Sequence, residues 1–320
     1  MNKREAMLSL ADDSAEQDYV PAAFFLHFDP QFHRGQAAVD KHLEFFRHTG
    51  MDFVKIQYEQ VQPASEKLQP GGMIRTPADW AHVPLYGEEF FEPTVRVVEG
   101  LVRAAKAEAL ILLTLYSPFM WARSLAGDDV LVKHLNEDPE AVRKGLEIET
   151  ENVLTLIGAC KQVGVDGFYA STQGGEAGRF ADPRIFEQYI KPTDLAVWDL
   201  LETCEFNILH VCDYEGSYDT LEPFLDYPGQ VVNCSLHVGP RTMTPREAAK
   251  LFGRPFMGGM ERKGVIATGS PDAVRLAAGE VLDQAPERFI LAADCTVPGG
   301  TSWANLKAAI TTAHQFRRQG

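Results

Sequence analysis

The sequence contains no apolar run long enough to cross a bilayer. The longest, Ala109–Leu113 with Leu115 and Tyr116, falls far short of the roughly 20 residues a spanning helix needs. Nor is there an apolar leader: Met1–Tyr19 mixes charges of both signs, which is not the pattern of a signal peptide. Cysteine is scarce and odd in number. Cys160, Cys204, Cys212, Cys234 and Cys295 have no regular spacing, so a disulfide framework is not expected, and reduced thiols in a cytoplasmic protein are. Basic charge is in deficit, with 30 Lys and Arg against 45 Asp and Glu and a formal net charge of −15. So acidic a chain has no general affinity for nucleic acid or an anionic membrane, though a local basic pocket is compatible with it. Three catalytic signatures are also missing. No Gly-x-Gly-x-x-Gly turn follows the first strand signal, and the glycine-rich stretch Gln173–Gly178 lacks the lysine of a phosphate-binding loop. No Gly-x-Ser-x-Gly elbow is present, so a serine hydrolase has no support.

What is present is ordinary globular composition, 45% hydrophobic over 320 residues. Length alone would allow two domains, but α/β barrels exceed that allowance as single domains. Eight short apolar runs read as strands: Ala22–Leu26, Asp52–Gln57, Leu110–Leu115, Gly167–Ser171, Asn207–Cys212, Gln230–Leu236, Pro255–Met260 and Phe289–Ala293. Helical patterns alternate with them at 36–48, 90–107, 139–162, 183–203, 218–225, 244–252, 270–284 and 302–316, with a short segment at Trp121–Leu125. Repeated β-α units imply a parallel sheet, and eight of them imply a closed barrel. The expected fold is therefore α/β: a single (β/α)8 TIM barrel over residues 21–320, with a short N-terminal extension, the polar arm 1–20, packed outside it. The long Pro- and Gly-containing loop after the second strand is more readily functional than decorative.

The barrel places the active site at the C-terminal strand ends. His210 and Cys212 stand two apart at one such end, so their side chains project to the same side. Cys295 lies at the end of the last strand. Two thiolates and an imidazole suit zinc, and three protein ligands leave the fourth position open, as catalytic zinc requires. The competing explanation is a buried histidine with two unrelated core cysteines; the shared rim favours the metal. Cys160 and Cys204, on helices, read as packing residues, and Cys234 as a strand residue facing the core or the helix layer. On the same rim, Glu176 reads as a fourth zinc ligand displaced by substrate, a substrate partner or a solvated loop carboxylate. His27 and His237 read as substrate contacts or satisfied structural histidines. Lys55 reads as offsetting a substrate carboxylate or pairing with Glu59. Gln57, Tyr116, Gln173 and Glu261 complete the candidate substrate-binding set. Basic density at the strand ends looks low.

Several of these stretches resemble the uroporphyrinogen decarboxylase superfamily, which includes the methylcobamide:thiol methyltransferases. They are Phe24–Phe28, Asp52–Lys55, Leu209–Cys212, Val231–Asn233, Phe256–Arg262 and Cys295–Pro298 running on to Leu306. The resemblance implies a (β/α)8 barrel. Its methyltransferase branch uses a His-x-Cys…Cys zinc site, which falls on His210, Cys212 and Cys295. It further implies a methylated corrinoid as donor, a small-molecule thiol as acceptor, a corrinoid protein as partner, and a homodimer. Asp213 stands where the branch usually has glycine, and Thr301-Ser302 where it usually has Thr-Pro. The decarboxylase branch, acting on a porphyrinogen or another carboxylated substrate without metal, is the alternative. Its Arg-Gln-Ala-Gly-Arg motif is absent, the corresponding stretch being Phe24–Phe28, and its catalytic aspartate has no match in Lys55–Glu59.

Overall fold

The computed structural model describes residues 2–12, 14, 19–63 and 74–317. Seven of the eight strand signals form one parallel sheet: β1 (Phe53–Ile56), β2 (Leu110–Tyr116), β3 (Gly167–Thr172), β4 (Ile208–Val211), β5 (Val231–Cys234), β6 (Phe256–Met260) and β7 (Phe289–Ala293). They are hydrogen-bonded in chain order. Nearly all their residues are buried, which is why the runs read as continuously apolar rather than alternating.

The first expected strand is the eighth stave in irregular form. On one edge Leu291 N–H donates to Pro21 O at 2.9 Å and Ala23 N–H to Leu291 O at 3.0 Å; on the other, Asp52 N–H donates to Ala22 O at 3.0 Å. A regular ladder stops there because Pro21 has no N–H and the Ala22 N–H is taken by the Asp52 carboxylate at 2.7 Å. The sheet thus closes into a TIM-like barrel.

The arm holds a helix, Lys3–Leu8, with a capping box between Asn2 and Glu5. It docks beneath the N-terminal strand ends. Met7 and Leu10 are buried, Arg4 N–H donates to Glu108 O, and the Arg4 guanidinium pairs with the buried Asp166 at 2.9 Å.

Other expectations need correction. The helix expected at 218–225 is only a 3₁₀ turn, Glu222–Phe224; the Tyr218 hydroxyl is drawn to Cys212 O and Pro223 interrupts the ladder. The helix expected at 183–203 begins as a π-turn, Phe186–Ile190, before Lys191–Leu201. Pro192 supplies no N–H, so the ladder shifts there. The short segment near Trp121 is a full helix, Pro118–Ala126, followed by a helix the sequence reading did not mark, Asp128–Glu137. Gly127, at φ 85°, turns the chain between them. The long loop carries a 3₁₀ helix, Pro77–His82, and its Pro70–Gly72 stretch lies outside the described residues. Among the described residues no helix is long and apolar enough to cross a membrane.

Candidate metal centre at the barrel mouth

His210 sits on β4, and Cys212 lies just past its end. Cys295 lies two residues beyond β7. Closure of the barrel brings the two strand ends together across the mouth. One ligand atom from each of the three residues lies within 4.8 Å of the others.

Each ligand is held by its surroundings. Cys212 N–H donates to Thr172 O at 3.1 Å, and the Tyr218 hydroxyl donates to Cys212 O at 2.9 Å. The Gln173 amide reaches the Cys212 sulfur at 3.4 Å. The His210 ring lies against Tyr169, with centroids 4.9 Å apart. Tyr169 donates to Asn233, which is anchored to the Met257 and Ala293 carbonyls at 2.8 and 3.1 Å. His210 Nδ1 is buried with no hydrogen-bond partner, an arrangement a buried imidazole avoids unless something else is to fill the place.

The two thiols act on one another in opposite directions. The bond from Cys212 holds Cys295 well below the usual thiol range, against the upward push of burial and with help from His210 and Arg262. The same bond, with burial, pushes Cys212 up. A thiol lowered in this way gives up its proton more readily, and the thiolate is the form that binds metal. A buried imidazole and two cysteines in this state suit a soft to borderline divalent ion, and zinc fits the donor set.

The trio forms part of the wall of a cavity of about 550 Å³ that His27, Lys55, Gln57, Tyr116 and Gln173 also line. Lys55, on β1, is buried. Its ammonium donates to Gln57 Oε1 at 2.8 Å and lies over the Phe25 and Tyr169 rings, 4.7 and 4.5 Å from their centroids. Burial pulls its pKa down to about 8, with Cys295, Glu59 and Cys212 opposing. Burial also pushes the Tyr116 phenol up. His27 is half exposed and pairs with Glu59 at 2.7 Å.

Three sequence candidates, Glu176, His237 and Glu261, are not brought to this cavity. Gly174, at φ 104°, turns the loop so that Glu176 folds back to accept from Gly174 N–H at 2.8 Å and to pair with Arg179 at 3.3 Å. Burial raises its pKa and Arg179 lowers it. It lines a neighbouring cleft with Asp128 and Asp129 and is not among the clustered ligand atoms. His237 opens a small hairpin, His237–Val238 against Arg241–Thr242. There it faces Thr242 and Glu261, at 2.8 and 2.7 Å, on the exposed outside of the rim. Cys160 and Cys234 are buried, and Cys204, partly exposed, follows the end of its helix.

Sequence reasoning also missed residues that matter. Arg123, Arg262 and Lys263 line the cavity, so the mouth is more basic than expected. Arg123 was hidden because its helix was read as a short segment. Arg262 lies two residues beyond β6, and its turn into the mouth follows from the loop direction there. Both guanidiniums are already engaged: Arg123 with Glu215 at 3.0 Å, Arg262 with Asp213 at 2.6 Å and Asp294 at 3.4 Å.

The comparisons agree with this architecture. A methyltransferase from Methanosarcina mazei superposes with a TM-score of 0.77 at 14% identity, covering 98% of each chain. A B12-independent methionine synthase from Shewanella sp. W3-18-1, solved in complex with selenomethionine, does so with a TM-score of 0.51 at 10% identity, covering 93% of this chain and 95% of that one. At such identities the likeness is one of fold. No curated protein matches the chain. Residues 63–316 match the family described as uroporphyrinogen decarboxylase (URO-D), and the chain belongs to that family.

Proposed function

We propose that the protein is a zinc-dependent methyltransferase that moves a methyl group from a methylated corrinoid to a small thiol. The observation that carries the reading is the gathering of His210, Cys212 and Cys295 within 4.8 Å at the cavity wall, with His210 Nδ1 buried and unpartnered. The methyltransferase of similar fold is consistent with it. The decarboxylase reading has less support, because a porphyrinogen carries several carboxylates, and with Arg123 and Arg262 committed to Glu215, Asp213 and Asp294 only Lys55 and Lys263 of the cavity's lysines and arginines are left to meet them.

His210, Cys212 and Cys295 would hold the zinc, which supplies a Lewis acid able to deprotonate a thiol whose free pKa is about 8.5. Two cysteine thiolates bring negative charge to the site, which keeps an acceptor sulfur electron-rich. Three histidines would favour activation of water instead. In the transfer the acceptor loses its S–H proton to solvent, a sulfur–carbon bond forms, and the donor–carbon bond breaks with its electron pair staying on the donor. Lys55 and Gln57 orient the acceptor's polar end from the cavity wall, and Tyr116 and Gln173 border it. His27, half exposed at the mouth, meets whatever enters. The Phe25 and Tyr169 rings shield the Lys55 ammonium from water, so its charge acts at short range with little screening.

X-ray absorption on the zinc-loaded protein, with and without a panel of thiols, tests this. One added sulfur neighbour and one proton released on thiol binding are expected. An unchanged zinc shell across the panel would refute the transfer reaction even if zinc binds.

A further inference from the structure

The two cysteines are each followed or preceded by an aspartate, and one arginine joins them. Asp213 follows Cys212, Asp294 precedes Cys295, and Arg262 follows β6 between the two strand ends. Arg262 Nη1 donates to Asp213 Oδ1 at 2.6 Å and lies 3.4 Å from Asp294 Oδ2. The Arg262 backbone N–H donates to Asp294 Oδ1 at 2.8 Å, so both oxygens of that carboxylate are held by one residue. All three side chains are largely buried, 12 to 16% exposed. Low exposure makes charged hydrogen bonds of this kind stronger and better aligned than surface pairs. The planar guanidinium fixes direction as well as distance, which an ammonium does not.

We propose that Arg262 is a positioning residue for the metal centre. By bridging Asp213 and Asp294 it holds the two cysteine-bearing loops at the spacing of a single ion, so that the sulfurs are set before metal arrives. This rests on the proposed metal site and adds to it a device that the glycine usual at position 213 cannot form, since glycine has no carboxylate to bind. Arg262 also offsets two carboxylates that would otherwise face a pair of thiolates at close range. Groups that orient ligands without touching the metal typically contribute about 10- to 100-fold in affinity, and the bridge acts in that way.

The test is zinc affinity by competition with a chromophoric chelator, together with the thiolate-to-metal absorption of the cobalt(II)-loaded protein. Wild type is compared with Arg262→Gln, Arg262→Lys, Asp213→Ala and the double variant Arg262→Gln/Asp213→Ala. Arg262→Gln and Asp213→Ala are each expected to weaken zinc about 10- to 100-fold and to alter the cobalt band. The double variant should be no weaker than Arg262→Gln alone, because the same bridge is lost. Arg262→Lys should recover only a minor part, since it restores charge but not the planar group whose Nη1 meets both carboxylates while Nη2 reaches Asp213 O. If Arg262→Gln fails to fold, Asp213→Ala decides: affinity within threefold of wild type overturns the proposal. So does full recovery by Arg262→Lys, which would mean that charge alone matters. Wild type that takes up no zinc would remove the metal site and this inference together. Wild type that binds zinc, with unaltered variants, removes this inference alone.

Discussion

Asp194 behind β3 gives a prediction whose sign and size follow from its surroundings. It lies on the helix Lys191–Leu201 and is 2% exposed. Its Oδ2 accepts from the Thr172 hydroxyl and, at 3.0 Å, from the Tyr227 hydroxyl, while Oδ1 has no partner. Burial pushes its pKa up to about 7, and the hydrogen bonds from Thr172, Tyr227 and Ser117 offset only part of that. The unfolded chain has its ordinary value of 3.8. Between these limits the folded state holds a proton that the unfolded state has lost, so stability falls as pH rises. The slope is about 1.4 kcal/mol per pH unit, giving roughly 2–3 kcal/mol between pH 5 and 8 with flattening above pH 7. Asp194→Asn removes the titration. Urea unfolding of both proteins at pH 5, 6, 7 and 8 gives their stability difference free of every other group's titration. The difference should move in favour of the variant by that amount as pH rises. A difference constant to within about 0.5 kcal/mol across the series would refute the reasoning, whatever the absolute stabilities. The site feels this group too, because Thr172 leads directly into Gln173, whose amide reaches the Cys212 sulfur.

Two further predictions concern the mouth. Cys212→Ala and Cys295→Ala should each hold far less than the roughly one zinc per chain expected of wild type, by elemental analysis after dialysis; wild-type zinc in both would refute the ligand assignment. Lys55→Met should keep its zinc and its fold, because it removes a buried ammonium and leaves a side chain of similar length over Phe25 and Tyr169. It should weaken acceptors with a negatively charged end about tenfold or more while changing neutral ones less, an effect of losing one charged hydrogen bond; equal effects on both, measured as kcat/KM, would refute its part in recognition.

The barrel was legible because parallel strands covered on both faces leave short apolar runs, and Leu110–Leu115 could hardly be anything else. The gathering of His210, Cys212 and Cys295 was legible because residues two apart on a strand share a side and because strand ends converge in this fold. Both signals are local or belong to topology. The rest depended on loop paths. Glu176 reads as a rim carboxylate until the turn at Gly174 sends it back to its own loop. His237 reads as a strand end until the hairpin with Arg241–Thr242 carries it outward. Arg123 and Arg262 went unnoticed for the converse reason: their positions follow from a helix length and a loop direction that hydrophobic periodicity does not encode. The π-turn at Phe186–Ile190 did have a signal, Pro192 well inside the expected helix, where a proline without an N–H shifts the ladder.

The stave with the poorest strand geometry does much to arrange the site. Pro21–Leu26 closes the barrel through only a few backbone bonds, yet this stretch and His27 just after it meet the Cys295 loop at two further points. Val297 N–H donates to Phe25 O at 2.8 Å, fixing the chain just after Cys295, and the backbone at Gly299 passes close to His27 O. The Phe25 ring meanwhile lies under the Lys55 ammonium. The same short segment thus anchors the Cys295 loop and one side of the cavity's buried cation. Its hold on the sheet runs through Asp52, whose carboxylate accepts from Ala22 N–H, the Tyr19 hydroxyl and His314 at 2.7, 2.7 and 2.8 Å. Asp52 is fully buried and directly precedes β1, so it lies at the strand end opposite the mouth and acts on the site through the stave it pins and the strand it leads. Regular pairing would have fixed the stave more uniformly. Its outer end is held by the Cys295 loop through Phe25 O, by Glu59 at His27 and by His33 and His42 at Phe28, so that the Cys295 loop and the closure of the barrel support one another.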